Sequence, residues 1–256
     1  MLQLDIATLH AWVGQFLWPL MRIGAFFLLA PVIGTQVVPV RIRLMLALLV
    51  TLAVAPTLRE LPPVELLSAQ AVVLVAQELL IGLGLAFFLQ LLIHSFVMTG
   101  QILAMKMGLG FASLNDPVNG VIVTVISQFY LMMVTLLFLA MNGHLVMIDV
   151  LAESFRTLPV GGDIGGNRLW SLVEWGRWMF AAALLMALPA MTALLIINCS
   201  LGIITRAAPQ LNIFAIGFPL MLLLGLLILW ANMASMLPQF ERYSSEALSA
   251  MRAWVS

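Results

Sequence analysis

The chain has 256 residues, 63% of them hydrophobic and only 9% charged, with a mean hydropathy of +1.13. That composition excludes an ordinary soluble domain and leaves a helical integral membrane protein in contact with lipid. The formal charge is zero and the eleven Lys and Arg are scattered, so nothing points to a nucleic-acid partner.

Apolar runs of about 18 residues or more can cross a hydrocarbon core of about 30 Å as helices. About six such segments are expected, giving an all-α polytopic fold in one membrane domain over residues 1–256. The first thirty residues lack a basic n-region, because Asp5 and His10 stand where one would be, so the N-terminus is expected to be retained. The first segment covers 12–30 and carries Trp18, Pro19 and Arg22. A second runs over 44–55 to Pro56, preceded by Pro39, Arg41 and Arg43.

The third segment, 69–98, is longer than one crossing needs and holds Glu78 and His94. At residues 101–120, QILAMKMGLGFASLNDPVNG, the hydrophobic pattern stops. Gly108 and Gly110 loosen the backbone, and Asn115-Asp116-Pro117 and Asn119-Gly120 are turn signals. Met105, Met107, Leu109, Phe111 and Leu114 nevertheless keep the stretch apolar, with Lys106 and Asp116 as its charges. Irregular backbone at membrane depth is tolerated only where protein or a water-filled cavity surrounds it, so this loop is expected to face a pore or cavity.

A fourth segment, 121–150, is interrupted at Asn142-Gly143-His144, and the loop-like 155–167 follows. Trp170, Trp175 and Trp178, with Glu174 and Arg177 between them, look like an aromatic belt before a fifth segment at 179–204. A second irregular stretch, 202–219, repeats the Pro/Gly interruption of an apolar run. A sixth segment spans 220–236, and the polar tail 238–256 reads as a surface helix.

Arg22, Glu78 and His94 are ionisable groups inside apolar segments, where such groups are costly. Two readings stand side by side. Arg22 and Glu78 can pair, or snorkel and face partner subunits; alternatively Glu78 or His94 serves a proton relay. Methionines 105 and 107 suit a deformable constriction as well as ordinary apolar filling. Gly82, Gly84 and Ala86 permit close helix packing. Cys199 is the single cysteine and lies in an apolar run, which excludes an intramolecular disulfide and suggests a buried, inert thiol. No catalytic, metal or phosphate-binding motif is present, so neither enzyme activity nor a cofactor is expected.

Three strings carry a resemblance: VPVRIR at 38–43 followed by LALLVTLAVAP, MGLGFASLNDPVNG at 107–120, and RAAPQLNIFAIGFPL at 206–220. They resemble the FliR family, the flagellar members of the type III secretion export gate. The resemblance implies a non-enzymatic subunit of the bacterial inner membrane, at the flagellar basal body. It would join several copies of FliP-like and FliQ-like membrane proteins in a hetero-oligomeric helical assembly of bent hairpins, through which unfolded flagellar proteins pass.

On the same resemblance, the family's pore plug maps onto 106–120, with Lys106, Met107, Gly108, Gly110, Phe111, Asn115, Asp116, Pro117, Asn119 and Gly120. The second motif, with Arg206, Pro209, Gln210, Asn212, Phe214, Gly217, Phe218 and Pro219, would lie toward the entrance or an FlhB-like switch protein. Met221 stands where relatives often carry a lysine. An injectisome-type gate subunit and a proton-coupled secondary transporter are the alternatives, the latter motivated by two broken apolar regions and Glu78.

Overall fold

A computed structural model describes residues 6–58, 62, 64, 68–110, 124–207 and 213–256, with backbone alone for 6–12 and 213–216. All elements among these residues are helical. They are α1 (Ile6–Leu29), α2 (Val40–Val54) with a 3-10 turn at Ala55–Thr57, α3 (Ala69–Lys106), α4 (Val125–Ala140), α5 (Gly143–Thr157), α6 (Gly166–Ala207), α7 (Ile213–Asn232), a 3-10 turn at Met233–Ser235, and α8 (Met236–Val255). Among the described residues, four helical stretches are long and apolar enough to cross a membrane, and five if α4 and α5 are one broken span. The six expected segments fall on α1, α2, α3, the α4–α5 pair, α6 and α7, but the described apolar part of α1, Val13–Leu29, is shorter than a span, so among the described residues the number that can cross is four or five and not six.

Several boundaries follow from local chemistry. Pro39 precedes α2 as its N-cap, where its missing N–H is harmless, and Pro56 sits in the 3-10 turn that ends it. Arg43 steadies the α1–α2 connection by donating from Nη2 to the carbonyls of Thr35 (2.9 Å) and Val38 (2.8 Å). The break between α4 and α5 falls at Asn142, in the left-handed region with φ 56°, a conformation that asparagine tolerates better than most residues.

The second irregular stretch is narrower than expected. Residues 202–207 complete α6, and 213–219 already belong to α7 with Pro219 inside it, so only 208–212 lie outside the described residues. Likewise residues 101–106 continue α3, which at 38 residues far exceeds the roughly 20 that one crossing needs. Proline and glycine are tolerated inside apolar helices because neighbouring groups and local adjustments re-satisfy the backbone groups they free, as at Pro219 of α7.

The chain divides into two compact units. The first comprises Met1–Leu91, Phe138–Gly176 and Glu246–Ser256; the second comprises Leu92–Leu137 and Arg177–Ser245.

In the first unit, α2 inverts the soluble pattern. It buries Ala47, Thr51 and Val54 and leaves Leu44, Met45, Leu48, Leu49 and Leu52 outward. Small residues inward and large apolar ones outward suit lipid or a partner subunit. At Gly82 of α3 an added Cβ would overlap the Arg22 carbonyl oxygen and stand 3.0 Å from Ala25 Cβ, so glycine is what lets α3 approach α1. The end of α8 packs here through buried Met251, Trp254 and Val255, with the Trp254 indole donating to the Arg168 carbonyl at 2.8 Å. The tail expected on the surface is thus a helix with one buried face. Its Arg252 makes exposed ion pairs with Glu153 (3.3 Å) and Asp149 (3.7 Å).

In the second unit, the α6 alanines 182, 183, 187 and 190 are buried while Leu184, Leu185, Leu195 and Ile196 face outward. The Thr99 hydroxyl lies 2.9 Å from its own helix's Ser95 carbonyl and 3.2 Å from the Ala183 carbonyl, so a polar group in an apolar helix is satisfied without water. Trp178 packs edge-on against Tyr243, whereas Trp170 in the first unit is 66% exposed. Cys199, expected to be buried, is exposed on α6, because the outer faces of these helices carry apolar residues as freely as the inner ones.

Candidate functional site

Two arrangements concern the residues singled out by sequence. In the first unit, Arg22 of α1 and Glu78 of α3 form a fully buried ion pair. Arg22 Nε donates to Glu78 Oε2 at 2.7 Å and Nη2 to Oε1 at 3.1 Å, the two-pronged geometry that suits a guanidinium to a carboxylate. Nη1 turns to α5 and the segment after it, donating to the Leu158 carbonyl (2.9 Å), the Ser154 carbonyl (3.1 Å) and the Ser154 hydroxyl (3.2 Å).

The guanidinium carbon lies 4.2 Å from the centre of the Phe155 ring, a cation over an aromatic face. The Gly161 backbone N–H is directed at the Glu78 carboxylate. Gly161 has φ +83°, a conformation reserved for glycine, so the turn can offer that N–H only with no side chain present. Three segments remote in sequence, at 22, 78 and 154–161, are therefore tied at one desolvated point. Among the sequence candidates Arg22 and Glu78 meet; Ser154, Phe155, Leu158 and Gly161 were missed. The one sequence sign of their role is the GG run in the loop-like 155–167.

In the second unit, α3 ends in a glycine-dependent lock. The Leu109 N–H donates to the Ala104 carbonyl (3.0 Å) and the Gly108 N–H to the Met105 carbonyl (3.2 Å), with Gly108 at φ +85°. This is the Schellman arrangement, which satisfies the last carbonyls of a helix at a left-handed glycine. A Cβ at Gly108 would lie 3.3 Å from the Phe218 ring of α7. Immediately before Gly108, Met107 is fully buried, and a side chain at Gly225 would meet its sulfur at 2.9 Å. Gly108 of the string at 107–120 and Phe218 of the string at 206–220 thus lie close together.

The remaining candidates fall as follows. Lys106 is exposed in the last turn of α3, and Met105 is 63% exposed, so the two methionines of this stretch divide between surface and core. Gly110 is half-buried beside Met105. Phe111, Asn115, Asp116, Pro117, Asn119 and Gly120 lie outside the described residues, as do Pro209, Gln210 and Asn212. Arg206 is exposed in the last turn of α6; Phe214 is within α7; Gly217 is buried, while Phe218 is 45% exposed and Pro219 exposed. His94 is exposed on α3, in the second unit. No cluster of three or more metal-ligating side chains occurs among the described residues.

A family model described as bacterial export proteins, family 1, matches residues 13–247. The chain is 37% identical over 257 residues to the flagellar biosynthetic protein FliR of Escherichia coli (strain K12), covering 100% of this chain and 98% of that one. It is 38% identical over 241 residues to FliR of Pectobacterium carotovorum subsp. carotovorum, with 94% and 92% covered. With FliR of Bacillus subtilis (strain 168) it shares 27% identity over 241 residues, and 93% of each is covered.

Proposed function

Because the chain belongs to family 1 of the bacterial export proteins, alongside the flagellar biosynthetic FliR proteins, we propose that it is a structural subunit of the flagellar protein export gate in the bacterial inner membrane. In this reading it assembles at the flagellar basal body with several copies of FliP-like and FliQ-like subunits and with an FlhB-like switch protein. Together they enclose the passage for unfolded flagellar proteins, and the loop at 106–120 closes that passage at rest.

The observation that carries the reading is the end of α3. The helix is stopped by a hydrogen-bonded lock at Gly108, against Phe218 and beside a core contact of Met107 with Gly225, at the point where the loop begins. A fixed root suits a plug, because a loop that must fill a channel reproducibly needs a rigid place to start from. The many outward-facing leucines and isoleucines of α2, α6 and α7 support burial against partners as well as lipid. Glu78, with both oxygens engaged by Arg22, supports a positioning role rather than that of a proton carrier.

The test is co-expression of the affinity-tagged full chain with its neighbouring export subunits and purification in mild detergent. A stable complex holding several copies of small hydrophobic partners is expected. A folded, monodisperse monomer that takes up no partner would overturn the proposal.

A further inference from the structure

Within the second unit, a small cavity lies where α7 gives way to α8. It is lined by Thr99 of α3, Tyr130 of α4, and Asn232, Ser235 and Gln239 around the 3-10 turn, with apolar walls including Leu103 and Met186. The space open to a water's centre is about 20 Å³, above the roughly 10–15 Å³ that one water requires.

The hydrogen bonds around the cavity leave a matching set of groups. The Asn232 amide nitrogen donates to the Ile228 carbonyl (2.9 Å), the Gln239 amide nitrogen to the Ser235 hydroxyl (3.1 Å), and that hydroxyl to the Asn232 backbone carbonyl (2.8 Å). Among the described residues, the side-chain carbonyls of Asn232 and Gln239 accept no hydrogen bond and the hydroxyl of Tyr130 makes none, although Tyr130 is only 8% exposed. Two acceptors and one hydroxyl donor around a space for one water form the complement of a water molecule, which donates twice and accepts up to twice.

We propose that this cavity is a resident-water site, in which one water accepts from Tyr130 Oη and donates to the side-chain carbonyls of Asn232 and Gln239. It would bridge α4 to the α7–α8 joint. The joint is where such a bridge matters, because the 3-10 segment interrupts the regular helical ladder and relies on side-chain bonds from Ser235 and Gln239. Lined by hydroxyls and amides with no ionised side chain, the site suits a neutral polar molecule over an ion. This inference does not depend on the export reading.

The test is a density map of the full chain in its purified membrane assembly, at a resolution where ordered waters are visible, for the wild type and for Tyr130→Phe. One peak within hydrogen-bonding distance of Tyr130 Oη and of the Asn232 or Gln239 carbonyl is expected, with that peak lost or weakened in Tyr130→Phe. A wild-type map without the peak would overturn the proposal.

Discussion

Arg22 grips both carboxylate oxygens of Glu78 at a point where neither side chain touches solvent, and its third nitrogen holds the Ser154 and Leu158 carbonyls. In a low-dielectric site the pair's mutual attraction largely offsets its desolvation, so its net contribution is small, but losing one partner strands a charge. Arg22→Met or Glu78→Leu alone is expected to destabilise the chain by about 3–5 kcal/mol, whereas the double substitution recovers much of that loss. Thermal unfolding of the three variants in one detergent checks this. If the two single losses simply add in the double variant, the coupling described is absent.

Two opposite charges in apolar segments made pairing one natural possibility, and the helical class followed from composition. Which backbone groups completed the site was hidden, because Ser154, Phe155 and Leu158 look like ordinary residues at the edge of a loop. The segments at 101–106 and 202–219 were read as more irregular than they are, since proline and glycine signal breaks in water but are accommodated in apolar helices such as α7, which contains Pro219. Burial of Cys199 was misjudged for a related reason. Where outer faces are as apolar as inner ones, hydrophobicity no longer tells them apart.

The helix contact beside the ion pair gives a sharper contrast. Gly82→Ala would drive a methyl into the Arg22 carbonyl, whereas Gly24→Ala meets nothing within 4 Å. The first is expected to destabilise by about 1–3 kcal/mol through overpacking. The second is expected to be neutral or stabilising by up to about 1 kcal/mol, from the gain of alanine over glycine inside a helix. Melting temperatures of the two variants in the same detergent decide the point, and equal shifts would contradict the close approach at Gly82.

Met107 and Gly225 form a matched large–small pair in the second unit. Gly225→Ala is expected to cost about 1–3 kcal/mol by overpacking, and Met107→Ala about 2–5 kcal/mol by leaving a cavity. Combined, they relieve each other, and a double-mutant cycle on unfolding should show a coupling of about 0.5–3 kcal/mol. A coupling near zero would mean that the root of the loop is not held by this contact.

Resting ion conductance of the assembled gate in planar bilayers, compared between the intact chain and one lacking residues 110–120, tests most directly whether this loop closes a passage. Because the deletion removes no residue of the α3 lock or of the Met107–Gly225 contact, assembly is expected to survive and can be verified by subunit composition. A clear rise in resting conductance in the fully assembled deletion complex is the expected result. Unchanged conductance in that same complex would contradict the plug.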